Sequence, residues 1–266
     1  MSDADIVVVR DAEAASQRAA EVIADTLRDA VERRGRADWA TTGGSTPIGV
    51  YNALVRMGRD ALPWQRIHTW WGDERYVPGD HPLSNARPFD DILEEAGAYE
   101  SVHQDDPRSR VWVPPENVHP FPTGQAIGED RGAEWCAERI EAELRDAGLE
   151  EVDSWPVFDL MFIGIGGDGH LLSVFPGSTA FDSTKWALAI PAPTHIEPHV
   201  PRVTLNPATV RVARGVLAVV LGAAKAEIVG RLFGDTSDPT ELPARLAVRA
   251  GSTWILDEAA AAQLPS

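Results

Sequence analysis

The sequence predicts an α/β fold with a largely parallel sheet flanked by helices. Three observations predict it. Short apolar runs alternate along the chain with segments whose apolar residues recur every three or four positions. One run, residues 157–163 (Val-Phe-Asp-Leu-Met-Phe-Ile), is almost continuously apolar, as in a strand buried on both faces. Three of the strand-like runs end in glycine-bearing polar loops, at 43–46, 72–75 and 164–170. Open α/β sheets bind ligands beyond the carboxyl ends of their strands, so these loops mark the expected site.

Residues 6–9 (Ile-Val-Val-Val) read as a short strand. A helix follows, carrying Ala15, Ala19, Val22, Ile23, Leu27, Ala30 and Val31 on one face. The strand-like stretch 37–41 ends in Gly43-Gly-Ser-Thr-Pro47. Pro47 suits the first position of a helix over 48–57, with Thr46 as its cap. Residues 67–71 form the next strand, and 84–95 a helix. Residues 97–116 are polar, with Pro107, Pro114 and Pro115, and read as an exposed excursion. Residues 129–147 are helical. Strands follow at 186–190, 202–205 and 216–221, the last leading through Gly222 into a helix that holds Lys225. A strand at 252–256 and an alanine-rich helix close the chain. Repeats and long linkers are absent, so one domain is expected over 1–266.

The 266 residues are 44% hydrophobic with nine Trp, enough for a substantial core. The formal net charge of −17 argues against nucleic acid or an anionic membrane as a partner. It also repels an anionic substrate, so any such site needs local positive groups. Of 24 basic residues only Lys185 and Lys225 are lysines. No run of about 18 apolar residues occurs, so no membrane-spanning helix is expected. The acidic start, Met1-Ser-Asp-Ala-Asp5, is unlike a signal peptide, and a cytoplasmic enzyme is the expectation. The single cysteine, Cys136, lies on the apolar face of its helix and reads as a core residue.

Gly43, Gly44, Ser45 and Thr46 lead into a helix N-terminus, where free amides and the helix dipole favour an anion. The loop lacks the spacing and lysine of a nucleotide-triphosphate loop, so a single phosphate is its natural guest. Gly164-x-Gly166-x-x-Gly169 formally matches a dinucleotide fingerprint. However, Pro176 and Gly177 stop any long helix, and the next strand ends in Pro191 where an acid would hold the ribose. No nicotinamide cofactor is therefore expected. What remains distinctive is Asp168-Gly-His170. An imidazole with an ordinary pKa of ~6.5 suits a general base near neutrality, and Asp168 can orient it. His195 and His199 have helical metal-ligand spacing, but Pro193, Pro198 and Pro201 exclude a helix, and no metal site is expected. Asp73 and Glu74 should point to opposite sides of a strand end. Arg75 fits a phosphate or carboxylate, with Asp73 as a substrate-binding neighbour.

Together these motifs resemble the 6-phosphogluconolactonase family. The segments that carry the resemblance are Gly43-Gly-Ser-Thr-Pro47, Trp71-Gly-Asp-Glu-Arg-Tyr-Val-Pro78 with Ser84-Asn85, Phe158-Asp-Leu160 through Gly177, Arg202-Val-Thr-Leu205, and Gly222-Ala-Ala-Lys225. The resemblance implies a Rossmann-like sheet with a small additional α/β excursion. It also implies hydrolysis of 6-phospho-D-glucono-1,5-lactone, a step of the oxidative pentose phosphate pathway, without metal or cofactor. His170 would then activate water, Asp168 orient it, and Arg75 bind anionic substrate oxygen. Gly43 to Thr46 and Lys225 would hold the phosphate. The partner would be a small sugar phosphate, met by a monomer or homodimer. The chain departs from the family at Leu171-Leu172, where Thr-Ala is usual, and at Glu197 and His199, in a segment that commonly carries a lysine. Amino-sugar phosphate deaminases of the same superfamily follow Asp-Gly-His with Ile-Ala-Phe-Asn-Glu-Pro, and this chain has no such acid before Pro176. A sugar-phosphate-sensing regulator would need a DNA-reading helix pair and a basic surface, both missing here.

Overall fold

The computed structural model describes residues 4–95, 113–234 and 238–265. In chain order the elements are β1 (Asp5–Val9), α1 (Ala12–Arg34), β2 (Ala37–Thr41), α2 (Ser45–Arg56), β3 (Ile67–Trp71), β4 (Asp73–Arg75) and α3 (Arg87–Glu95). Next come β5 (Val118–His119), α4 (Thr123–Gly128), α5 (Ala133–Asp146) and a small hairpin of β6 (Glu151–Val152) and β7 (Trp155–Pro156). The chain continues through β8 (Leu160–Ile163), β9 (Ala187–Ile190), β10 (Arg202–Leu205), α6 (Ala208–Val212), β11 (Gly215–Val220), α7 (Ala226–Gly234) and β12 (Ser252–Asp257).

Seven strands form the main sheet in the order β1-β12-β11-β8-β2-β3-β5. Every neighbouring pair is parallel, as the apolar strand sequences require. β2 and β8 are buried along their whole length. From β2 the chain winds outward through β3 to β5. It then returns to the other side of β2 as β8 and continues through β11 to β12. The winding therefore reverses between β2 and β8, and a crevice opens beyond their carboxyl ends. At the opposite end, buried Asp159 and Asp38 are satisfied by Arg34, Arg36 and Arg214, and the Asp38 amide donates to Asp159 at 2.8 Å. That ionic floor closes the lower end of the β2/β8 pair, opposite the crevice.

α1 shows why the sequence folds locally as it does. Asp11 caps it by accepting from the Ala14 amide at 2.9 Å, and Gly35 ends it at φ 78, its amide bonding Val31. Its buried stripe of Ala15, Ala19, Ile23, Leu27 and Ala30 is rich in small residues, which lets the helix lie close to the sheet.

Several expectations are corrected. The second helix begins at Ser45, three residues before the expected 48, because Gly44 at φ 100 turns the chain and Pro47 is already inside the first turn. The stretch 129–147 is helical only from Ala133, since Asp130 at φ 52 and Gly132 separate α4 from α5. The strands near 186–190 and 202–205 exist, but they leave the parallel sheet and pair antiparallel with β4 in the order β4-β10-β9. Gly72 makes the transfer: its amide still bonds Thr41 of β2 at 2.8 Å while its carbonyl accepts from Leu205. With α5 packed on β9 and β10, this small sheet is the additional α/β layer. Lys225 ends a 3-10 turn ahead of α7, and the terminal alanines form only a 3-10 turn, Ala260–Gln263. Most of the 97–116 segment lies outside the described residues. Its end is not solvent-exposed throughout, for Val113 is fully buried. Cys136 is in the core, where burial pushes its thiol up to about 11.

The outer strands β3 and β5 carry a second polar chain. His68 Nδ1 lies 3.0 Å from His119 Nε2, and His119 Nδ1 lies 2.5 Å from a Glu143 oxygen, with Trp70 stacked on His119. Burial, aided by nearby Arg36, pushes His68 down to about 4. Its unfolded value is near ~6.5, so the unfolded chain binds the extra proton between those limits. The stability it contributes is full above about 6.5 and is lost as pH falls through about 4. Thermal melts should show the midpoint falling over this window, and His68→Gln should flatten the fall; an unchanged slope would acquit His68.

Candidate active site

The crevice at the β2/β8 reversal is a cavity of about 320 Å³. Gly43, Gly44, Ser45, Thr46, Asp73, Arg75, His170 and Lys225 all line it. Among the sequence-predicted site residues only Asp168 stands outside the lining, behind His170.

The β2 loop reaches the cavity through two differently constrained glycines. A Cβ on Gly43 would sit 2.3 Å from Asn85 Oδ1 and 2.4 Å from Asn85 Cα, so the missing side chain lets the 84–86 turn pack beneath. Gly44 adopts φ 100, which disfavours any L side chain. No side chain caps α2, and Pro47 has no amide to satisfy. The first-turn amides are thus left facing a cavity that suits an anion.

The β8 loop closes on itself. Gly166 N donates to the His170 carbonyl at 2.9 Å, and Gly169 N to the Gly166 carbonyl at 3.1 Å. His170 Nδ1 lies 2.6 Å from Asp168 Oδ1. With Nδ1–H donating to the carboxylate, Nε2 keeps its lone pair and can accept a proton. Burial raises the Asp168 carboxyl, but hydrogen bonds and charge from His170, joined by His195, outweigh it and hold the group well below the usual carboxylate range. A Cβ on Gly166 would fall 2.1 Å from His170 Nδ1, so this glycine is the space the imidazole occupies.

On β4 the expected alternation is present. Asp73 and Arg75 face the cavity, while Glu74 turns away and is buried. Glu74 accepts from the Arg75, Asn85 and Ala86 amides and from Ser84 Oγ, fixing the turn beneath Gly43. Burial nevertheless pushes Glu74 up to about 7. Asp73 accepts from Ser173 Oγ at 2.6 Å, tying this strand to the loop after His170.

Sequence reasoning gives no site role to two side chains that line or support this cavity. Arg202 stands directly opposite Arg75 in the antiparallel register, is only 5% exposed, and shares the cavity. Its guanidinium donates to the Pro198 and Val200 carbonyls, while burial lowers its pKa and Asp73 opposes that shift. Arg75 donates to the Leu83 carbonyl, and its buried Nε has no protein partner among the described residues. Only the cross-strand register shows these two cations together. The second is His195, whose Nε2 lies 3.1 Å from Asp168 Oδ2. Lys225 completes the positive lining, its amine donating to the Ile165 carbonyl at 2.7 Å. Burial lowers its pKa and Asp168 opposes that. Three cations and a helix N-terminus thus surround a proton-accepting imidazole. Such a cleft can bind a phosphorylated small molecule and activate water beside it. Among the described residues no group of three or more His, Cys, Asp or Glu side chains is placed to hold a metal ion.

Comparison with known proteins shows the family and the fold. A family model described as glucosamine-6-phosphate isomerases/6-phosphogluconolactonase matches residues 10–255. The 6-phosphogluconolactonase of Synechocystis sp. is 34% identical over 249 residues, covering 93% of each chain. That of Mycobacterium leprae is 32% identical, covering 98% of this chain and 99% of its own. The solved structure of a 6-phosphogluconolactonase from Trypanosoma cruzi superposes with a TM-score of 0.81 at 26% identity, over 100% of this chain and 99% of the other.

Gly166→Ala tests whether the loop is built around the imidazole. The added methyl should displace His170, remove the low-field Nδ1 proton signal in NMR spectra, and lower turnover by about 10²–10⁴, the usual worth of a general base. Persistence of that signal would show that the loop absorbs the methyl.

Proposed function

The chain belongs to the glucosamine-6-phosphate isomerase/6-phosphogluconolactonase family and is an enzyme of lactone hydrolysis, and we propose that it opens 6-phospho-D-glucono-1,5-lactone with His170 as general base. The observation that carries the role of His170 is its placement: an imidazole in the cavity wall with Nδ1 fixed on Asp168 and Nε2 left to act.

In this reading His170 Nε2 takes a proton from water as the water oxygen attacks the lactone carbonyl carbon. The carbonyl π pair moves to oxygen, and the resulting anion lies near Arg75. When the tetrahedral intermediate collapses, the bond from the carbonyl carbon to the ring oxygen breaks. The imidazolium then returns its proton to that oxygen. The product is the open-chain acid, which ionises at neutral pH, and the base ends as it began. Asp168 holds the ring orientation and stabilises the transient imidazolium, a division of labour familiar from carboxylate-oriented histidines.

The phosphate takes the positive end of the cavity. The α2 N-terminus with Gly43, Gly44, Ser45 and Thr46 supplies amides and hydroxyls, Lys225 supplies charge, and Arg202 adds a second guanidinium beside Arg75. Asp73 faces the sugar hydroxyls. The amino-sugar deaminase alternative finds no support in the residue before Pro176. Phe175 stands there, its ring centroid 4.8 Å from that of His170. No helix among the described residues is long and apolar enough to cross a membrane. A cytoplasmic enzyme, monomeric or dimeric, acting on a small sugar phosphate fits these features.

A coupled assay with freshly made 6-phosphogluconolactone beside glucosamine 6-phosphate should show turnover of the lactone alone. His170→Asn should lower kcat by about 10²–10⁴ with the fold intact; a folded variant with near-parental kcat would sink the base assignment. Lys225→Ala should act mainly on KM, raising it by about tenfold or more, as for a charge-assisted bond made equally in ground and transition states. An unchanged KM would remove Lys225 from the phosphate site.

A further inference from the structure

The catalytic carboxylate has two oxygens, and the base uses only one. Asp168 Oδ1 accepts from His170 Nδ1 at 2.6 Å and from the His170 backbone amide at 3.2 Å. Oδ2 is met by a second imidazole, His195 Nε2, at 3.1 Å. His195 lies on the segment that joins β9 to β10, far from the glycine loop in sequence. Phe175 is wedged against both rings, 4.8 Å from His170 and 5.4 Å edge-on to His195. The next two residues, Ile196 and Glu197, line the cavity. One segment therefore faces the ligand and grips the carboxylate behind the base.

We propose that His195 is a positioning residue for lactone hydrolysis: it acts through Asp168, pinning the carboxylate so that Oδ1 stays on His170 and dividing the carboxylate's charge between two imidazoles. The proposal rests on His170 being the base.

A carboxylate turns easily about its last torsion, which has broad minima. Bonded through one oxygen it can swing, and each swing loosens the imidazole it orients. A donor on Oδ2 removes that freedom. The same donor also stabilises the carboxylate charge, so Asp168 holds less firmly the proton-bearing form of His170. Positioning thus favours turnover, while charge sharing makes His170 a slightly weaker base. The charged and titratable groups around the pair are few. Lys225 acts on Asp168 from the turn ahead of α7, while Glu197 and His199 on the His195 segment pair with each other at 3.1 Å. His195 itself is 52% exposed on its side chain, so the ring that grips Oδ2 also faces solvent.

The test uses the full-length enzyme with His195→Ala and His195→Gln, assayed on 6-phosphogluconolactone between pH 5.5 and 7.5, with a thermal melt for each. The alanine variant should lose kcat on the order of tenfold, as for one lost hydrogen bond to a charged group, with KM little changed. The acid limb of its kcat/KM profile should move to higher pH, because the competing donor has gone. Glutamine keeps a neutral donor at the position of Nε2 and should recover most of kcat. Parental kcat and an unmoved acid limb in the alanine variant would overturn the proposal. So would equal loss in both variants accompanied by equal loss of melting temperature, which marks a structural role. His170→Asn separates the two readings. If it abolishes turnover while His195→Ala behaves as the parent, the base stands and His195 falls alone. If it retains turnover, both fall together.

Discussion

The shortest pairing in the centre of the sheet carries the most. β2 and β8 meet through only two residue pairs, Trp39 with Leu160 and Ala40 with Met161. Their sequences are some 120 residues apart, and their carboxyl ends are the only place where the anion-ready loop and the histidine loop can approach. The contact is short although β2 pairs along its whole length with β3 and β8 along its whole length with β11, and it is locked from below. The Asp38 amide and the Arg34 and Arg214 side chains converge on Asp159 at the entrance to β8. A buried carboxylate stripped of those partners would be costly, so the register has one satisfied solution. Slip it by a residue and every side chain of a doubly buried strand changes faces.

Above that pairing the cavity resolves the conflict posed by a net charge of −17. A long-range field of that sign repels a phosphate, but it is screened beyond about 10 Å of salt solution. Inside the cleft, beside the carboxylates of Asp73 and Glu197, stand the cations Arg75, Arg202 and Lys225, each partly or wholly withdrawn from water. Burial makes their local potential stronger than that of surface arginines, most of which are spent on neighbouring acids such as Asp25 and Asp29. Acidic surface and cationic cleft therefore coexist because they act over different distances.

Much of this was legible in the sequence, and the limits have physical reasons. Continuous apolar strands announce a parallel sheet, and glycine-polar strand ends announce its ligand side, since both are local consequences of burial and turn geometry. Gly43 to Thr46, Asp73, Arg75 and His170 lie in those loops, Lys225 stands out as one of two lysines and through the family resemblance, and the structure brings them all to one cavity. The start of α2 was misjudged because a positive φ at Gly44 outweighs the preference of Pro47 for the first helical position. Arg202 and His195, noted only within a family segment and for a rejected metal spacing, receive no site role from sequence because nothing local shows what they reach. One depends on which residue faces Arg75 across an antiparallel pair, and the other on where a proline-rich connection folds back. Prolines at 193, 198 and 201 correctly excluded a helix around His195, but excluding a helix says nothing about what an extended segment can reach.

The side-by-side guanidiniums of Arg75 and Arg202 have one more effect. Like charges set opposite each other on paired strands repel, and here Arg202 is buried and Arg75 partly so. An anion between them relieves that tension, whichever end of a catalytic cycle it belongs to. In the proposed reaction the product's carboxylate forms where the transient oxyanion stood near Arg75, so the product gains from this relief as well, and so would a bare inorganic oxyanion. Affinity obtained in this way lowers the energy of the bound ground state as much as that of the transition state. On the proposed reading the cleft therefore holds product as well as transition state, and release after each turnover is part of its work.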